Sequence, residues 1–481
     1  MPCPKCGSET KIIAFIPRWI LRGVFLCQRL RTARVSYSVE KQTPISPFGR
    51  LVPESHARKI LTAGCLLFIV LSVWGIIALP QDSDIWFYKH WSRLVTMKGI
   101  SAAYSGSSSK DFVDYPPFLL YAWKVEGHIY QRFVDPEFDE DKMLESGEHT
   151  FGLALIATIF HVATGLALYR LLARRYGASP AATAALMYLL NPAVLFDIAY
   201  LGLPDTVHSF WLVLAFGLAE SGSTRSGWVT GALAALTKPQ AWGLAPLFLW
   251  RRFQADQTKQ NLTGAAVALG TIALVIAPFI VNGKLADLCS LPTYMAKVQP
   301  YVSAQAHNLW WLATMGDGLN VLDARPLLGP LSYRDTSLIL LAASGLLVLW
   351  LAHKAGTKLF LQLPAFQAFA WFCLTTRAHE NHWFFVLPLA ALALPSDRRM
   401  LWIFAAISTT GFLNVFLHNP FLGVTLASMI STGVIHAAQL LNSAANLIIL
   451  TVWTVLLIRV RKRLSDEPAP SSINAVPPAG F

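Results

Sequence analysis

The chain has 481 residues, of which 54% are hydrophobic and only 14% charged, and its mean hydropathy is +0.47. A chain this apolar excludes a soluble globular protein and reads as a polytopic membrane protein. The net charge of +12 would suit a nucleic-acid partner, but the Lys and Arg residues sit beside the ends of apolar segments, as orientation in a bilayer requires, so nucleic-acid binding is excluded.

Residues 1–60 are basic, with Arg18, Arg22, Arg29, Arg31, Arg34, Arg50, Arg58 and Lys59 against few acids. The positive-inside rule places them in the cytoplasm, with no cleavable signal peptide expected. The opening CPKCG, with Cys3 and Cys6, has the spacing of half a zinc knuckle. No second pair follows it, which favours a disordered segment over a metal site. The stretch from Ile12 to Leu30 is basic and amphipathic and suits a membrane surface. Cys27, Cys65, Cys289 and Cys373 complete the six cysteines, which show no disulfide-framework spacing.

A first span is expected over about 61–79, leading outward into a large external loop, 81–150. That loop opens with DSDIWFYKHWSRLVTMKGISAAYSGSSSKDFVDYPP, residues 82–117, in which Asp82, Asp84, Asp111 and Asp114 alternate with Trp86, Phe87, Tyr88, Trp91, Tyr104 and Tyr115. Carboxylates interleaved with aromatic residues suit a reaction centre at the lipid interface, and the stretch reads as the catalytic loop of a lipid-dependent enzyme. The acidic run Asp135, Glu137, Asp139, Glu140, Asp141 reads as a solvated face.

Spans over about 151–172 and 181–198 follow, then a short external turn, LGLPD, holding Asp205, and a fourth span back to a cytoplasmic SGSTRSG linker. Between Arg225 and the Arg251-Arg252 pair the apolar run is interrupted by Lys238-Pro239-Gln240, and each half is too short to cross a core of about 30 Å. With basic residues at both ends, this predicts two short helices meeting at a KPQ elbow near the external half of the membrane, where broken backbone survives only beside a protein or water cavity. A span over about 264–281 leads to a second external loop, 282–333, containing AHNLWW. Further spans are expected near 337–351, 359–376, 383–394, 401–417 and 439–458, with a disordered cytoplasmic tail over 461–481. The fold class is thus an all-α integral membrane bundle of about 10–12 transmembrane helices, its main domain covering 61–460.

On this topology four polar motifs reach the external side: Asp82/Asp84, Asp114-Tyr115-Pro116-Pro117, Lys238-Pro239-Gln240 and Arg377-Ala378-His379-Glu380. Together, over roughly 60–420, they resemble the polytopic GT-C glycosyltransferases, in particular the bacterial and archaeal relatives of the second mannosyltransferase of GPI-anchor assembly. A looser likeness extends to the dolichyl-phosphate-glucose glucosyltransferases, which share a DYPP element and a late His-Glu pair.

The resemblance implies an inverting hexosyltransferase, with mannose as the sugar. The donor would be a polyprenyl- or dolichyl-phosphate sugar and the acceptor a glycan or lipid, met on the non-cytoplasmic side of a cell membrane or endoplasmic reticulum, with no metal or other cofactor. It implies that Asp84, with Asp82 as the competing candidate, is the catalytic base. Asp114, Tyr115, Gln240, Asn308 and Glu380 would contact substrate, while Lys238, Arg377 and His379 would hold the departing phosphate. At Asp205 the chain departs from the pattern, because LGLP stands where relatives tend to carry a Trp-Gly-Gln-like run. The reading from another class is a transporter or lipid flippase, which would also break helices but near the midplane and usually with two related halves.

Overall fold

The computed structural model describes residues 52–78, 84–106, 108, 111–254, 258–353, 357–418 and 429–466. The CPKCG pair, the stretch 12–30, Asp82 and the tail beyond Asp466 lie outside the described residues. Among the described residues the architecture is helical, with one small antiparallel hairpin, β1 (Pro326–Leu328) and β2 (Leu331–Ser332).

In chain order the helices that position the site are α1 (Ala57–Ala78), α2 (Asp84–Met97), α3 (Phe118–Phe133), α4 (Glu140–Glu145), α5 (Gly147–Tyr176), α6 (Ala178–Leu189), α7 (Pro192–Ala199), α8 (Asp205–Glu220), α9 (Thr224–Ala235), α10 (Ala245–Gln254) and α11 (Thr258–Val281). After them come α12 (Leu285–Cys289), α13 (Leu291–Val298), α14 (Leu309–Ala313), α15 (Tyr333–Ala352), α16 (Thr357–Phe360), α17 (Leu363–Leu374), α18 (Val386–Ala393), α19 (Arg399–His418) and α20 (Thr432–Asp466). Among the described residues six helical segments, 54–78, 147–176, 258–281, 333–352, 399–418 and 432–463, are long and apolar enough to cross a membrane, and α6 with α7 makes a seventh as a bent pair. The protein is an integral membrane protein of all-α class.

Helix α1 shows how such a segment is built. Leu66, Leu67, Val70, Trp74 and Ile77 are exposed and apolar, whereas Leu61, Gly64, Cys65, Phe68, Ser72 and Gly75 face the protein. Small residues on the inner stripe let neighbouring helices approach: a Cβ at Gly64 would stand 2.3 Å from Leu186, and one at Gly75 would stand 2.7 Å from the Ala199 Cβ. Dispersion at close range replaces the missing hydrophobic drive between helices in lipid. A hydroxyl pair, Ser72 Oγ and Thr158 Oγ1 at 2.8 Å, adds a polar tie between α1 and α5.

The third expected span, 181–198, is not continuous. It bends by 47° between α6 and α7. Pro192 has no N–H to give and pushes Asn191 out of the helical region to φ −68°, ψ 123°, while the Asn191 side chain caps Ala193 N at 3.0 Å and reaches Ser408 Oγ at 2.8 Å. The expected break at KPQ is present: α9 ends at Ala235, Lys238 is extended, and a 3₁₀ turn from Pro239 to Leu244 leads into α10. The segments expected over 359–376 and 383–394 are shorter helices, Leu363–Leu374 and Val386–Ser396. Nearly all of α17 and every residue of α18 is buried, so their continuous apolar sequence meets protein rather than lipid. Helix α20 runs to Asp466, past the boundary expected at 461.

The stretch after α1 is a packed helical layer rather than an open loop. The Ser92 hydroxyl lies 3.0 Å from Trp123 O and 2.9 Å from Glu126 Oε2, sharing its one proton between them, Arg93 Nε donates to Phe138 O at 2.7 Å, and the buried Lys89 ammonium donates to Leu144 O and Ser146 O. The acidic run is solvated, as expected, at Glu137, Asp139 and Asp141, and departs from that at its other two members. Asp135 is buried and accepts from Asp139 N at 2.7 Å, Asp139 caps α4, and Glu140 lies 3.3 Å from His90. Among the described residues no group of three or more His, Cys, Asp or Glu is arranged to hold a metal.

Two ends of the bundle are defined by contacts. At one, Glu220 accepts from Arg175 at 3.1 Å and from Arg251 at 3.0 Å, and the Glu54 carboxylate accepts from Ala178 N and Ser179 N. Helix α8 then carries the chain 16 residues, about 24 Å, from Glu220 back to Asp205 at the other end. Lys238 is paired with Asp205 there.

Candidate functional site

The site grows from the junction of the DYPP and KPQ elements. Pro116 and Pro117 hold the chain leaving Asp114-Tyr115 and start α3, whose first amide, Phe118 N, donates to Leu236 O at 2.9 Å. That bond brings the residues before α3 beside the end of α9, two positions from Lys238. Tyr104 Oη donates to Tyr115 O at 2.7 Å and Val113 N to Ala103 O at 2.8 Å, fixing the same turn from the other side. As a result the Lys238 ammonium lies 5.5 Å from the centre of the Tyr115 ring, within cation–π range.

Lys238 is buried and ion-paired with Asp205 Oδ1, and Asp205 Oδ2 accepts from Asn381 Nδ2 at 2.9 Å. A buried ammonium survives only with such a partner, because its desolvation is otherwise uncompensated. Asp84 is the first residue of α2 and is partly exposed, one helical turn before Tyr88. The Tyr88 hydroxyl is 3.3 Å from the Tyr115 hydroxyl, so two phenols link the Asp84 turn to the Lys238 pair.

Asp114 stands on the same wall with its Oδ1 buried and, among the described residues, without a hydrogen-bond partner. Burial raises its carboxyl from 3.8 to about 6, against the opposing pull of Lys238 and a backbone hydrogen bond. Between those two values the folded protein keeps a proton that the unfolded chain has released, so stability from this group is fully present below about pH 4 and is lost as pH rises through about 6. Asp114→Asn is expected to remove that slope, seen by comparing melting temperatures at about pH 5 and about pH 7 for the two proteins.

The loop after α17 closes the arrangement. Arg377 adopts φ 63°, a left-handed conformation uncommon outside glycine, while its N–H reaches Val302 O and its Nε donates to Asp323 at 2.6 Å. His379 and Gln299 Oε1 are 2.8 Å apart, and His379 N donates to His382 Nδ1 at 3.2 Å. Burial first, and then Lys238, lower His379 from 6.5 to about 4. Glu380 lies 3.9 Å from His379 Nδ1.

Asp114, Tyr115, Lys238 and His379 therefore share one region, and Asp84 adjoins it through Tyr88. Arg377 stands at the entry to the same loop. Gln240 is buried two residues past Lys238, and among the described residues its Oε1 has no partner. Asn308 is buried and braced by the backbone: its Oδ1 accepts from Trp310 N and Trp311 N, and its Nδ2 donates to Phe372 O and Thr375 O. Those four contacts use the full capacity of the amide. Asn308→Ala is expected to cost about 2 kcal/mol through the lost cap and the orphaned carbonyls, read as a lower melting temperature in detergent.

Asp205, set aside because LGLP departs from the family pattern, belongs to this region, as do Asn381, Tyr88 and His382, which the motifs do not assign a role. Asp205 was visible as a carboxylate at an external turn. Asn381 and His382 continue the Arg-Ala-His-Glu motif by two residues. The pairing also changes the electrostatics expected of the site. Lys238 and Arg377 each already face a carboxylate, Asp205 and Asp323, so an anion would meet oriented N–H donors more than net positive charge.

No protein-family model matches the chain, and no curated protein matches it. Among solved structures, the crystal structure of ArnT from Cupriavidus metallidurans bound to undecaprenyl phosphate is similar, at 12% sequence identity over 85% of this chain and 78% of that chain, with a TM-score of 0.48.

Proposed function

We propose that the chain is an inverting glycosyltransferase of the GT-C type that moves one hexose, with mannose the first candidate, from a polyprenyl- or dolichyl-phosphate carrier to a glycan or lipid acceptor. The observation that carries this reading is the gathering of Asp114, Tyr115, Asp205, Lys238, His379 and Asn381 at one end of an apolar helical bundle, with the Asp84 turn adjoining them. Such a polar cluster at the end of an apolar bundle suits a substrate with an apolar tail and a sugar-phosphate head.

In this reading Asp84 takes the proton of the acceptor hydroxyl as that oxygen attacks the anomeric carbon. The bond from that carbon to the phosphate oxygen breaks on the opposite side, and its electron pair leaves with the lipid phosphate. A positioned carboxylate contributes about 10²–10⁴ in rate because the hydroxyl is a poor nucleophile until its proton is removed. Lys238 and the terminal amino groups of Arg377 stabilise the charge collecting on phosphate. Asp114, Gln240 and Glu380 meet the substrate hydroxyls. Arg174, Arg175, Arg251 and Arg252 lie at the Glu220 end, which supports a cytoplasmic assignment for that end and a non-cytoplasmic one for the site.

Purified protein incubated with a panel of polyprenyl-phosphate sugars and candidate acceptors, followed by mass spectrometry, tests the reading. A hexose-sized mass gain on one acceptor is the expected result. The helix breaks at 190–192 and 236–244 would also be compatible with a transporter. Cysteine labelling near Lys238 and Glu380 from both membrane faces, with no transfer from any donor, would replace the enzyme by that second reading.

A further inference from the structure

His382 lies in the turn after Asn381, partly exposed, with its ring centre 5.1 Å from that of His379 and 5.9 Å from that of Trp371. One contact determines which nitrogen carries its proton. The backbone N–H of His379 donates to His382 Nδ1 at 3.2 Å, so Nδ1 must present a lone pair. A neutral imidazole then holds its hydrogen on Nε2. Burial first, and then the fields of His379, Lys238 and His208, push the imidazolium form well below the ordinary histidine range. The ring is therefore a neutral donor through Nε2, and among the described residues that donor has no protein partner.

The neighbouring groups are differently placed. His379 directs Nε2 at Gln299, Lys238 is held by Asp205, and Arg377 Nε is held by Asp323. His382 is held by the His379 N–H at Nδ1, and among the described residues no carboxylate is paired with its Nε2–H, unlike Lys238 and Arg377 Nε. A donor aimed at the place where negative charge develops is worth more than one already paired in the ground state, because nothing has to reorganise when the charge forms.

We propose that His382 is a catalytic residue whose Nε2–H donates a hydrogen bond to a phosphate oxygen of the departing lipid phosphate. This rests on the glycosyltransferase reading above. The imidazole keeps its proton throughout: the acceptor hydroxyl proton passes to Asp84, the new bond joins acceptor oxygen to the anomeric carbon, and the broken bond leaves its electron pair on the lipid phosphate. The phosphate gains one negative charge as a diester becomes a monoester, and that is the charge the Nε2–H faces.

The test uses His382→Phe, which keeps the ring and loses the donor, and His382→Gln, whose amide nitrogen reproduces a donor near the Nε2 position. With the donor found active on wild type, kcat for His382→Phe is expected to fall about 10²–10³-fold, as for removal of one oxyanion donor, with KM for the lipid donor little changed. His382→Gln is expected to recover most of that loss, and its recovery carries the proposal even where the Phe variant fails to fold. Wild-type kcat in a folded His382→Phe, or a Gln variant folded but as slow as the Phe variant, overturns it. A wild-type protein that transfers nothing from any polyprenyl-phosphate sugar instead removes the underlying reading, and equilibrium binding of polyprenyl phosphate, unweakened by His382→Phe, then removes the donor role too.

Discussion

Lys238→Met is expected to destabilise the folded protein by about 3–5 kcal/mol, because it leaves the buried Asp205 carboxylate without its cation, with Asn381 as its remaining hydrogen-bond partner among the described residues. The double variant Lys238→Met/Asp205→Asn removes the unmatched charge and is expected to regain most of that loss. Both proteins should have lost transfer activity, so stability and catalysis separate cleanly in this pair. Unfolding in detergent, followed by intrinsic fluorescence with the 16 Trp residues as reporters, reads the difference. A double variant no more stable than the single one would mean that the packing of the lysine stem, not its charge, holds the α8–α9 junction together.

Asp84→Asn should lower kcat by about 10²–10⁴ with the melting temperature almost unchanged. Asparagine at the first position of α2 retains the shape of the side chain and loses the carboxylate that accepts the proton. Asp82→Asn, made alongside, is the control for the competing carboxylate. Transfer by Asp84→Asn within roughly threefold of wild type would remove Asp84 from the role of base, and a large loss in Asp82→Asn alone would pass that role to its neighbour.

Much of this arrangement is readable before any coordinates. The KPQ break is legible because arginines on both flanks leave too few apolar residues between them to cross and return, a constraint of length and charge rather than of contact. The gathering of DYPP, KPQ and the Arg-Ala-His-Glu loop at one end follows from the same counting. The bend at Asn191-Pro192 was equally available, since an Asn-Pro pair is a strong local turn signal, but a continuous apolar run conceals it. The short buried helices 363–374 and 386–396 were not separable from lipid-facing spans, because an all-round apolar sequence is the same in either surrounding. Pairings were beyond reach: Asp205 and Lys238 are 33 positions apart and Asp205 and Asn381 are 176 apart, and only tertiary structure says which carboxylate neutralises which cation. That is also why the site was expected to be more cationic than it is.

The carboxylate of Glu54 that closes the start of α6 has a bearing on how the chain assembles during synthesis. Its two amide partners lie 124 and 125 residues downstream. At roughly 5–20 residues per second, the ribosome delivers them on the order of ten seconds after the first hydrophobic helix has left the exit tunnel. Through that interval the leading segment has no lock at its basal end. The clasp snaps shut when the third hydrophobic stretch emerges, making its arrival the step at which the nascent bundle acquires a fixed starting strut.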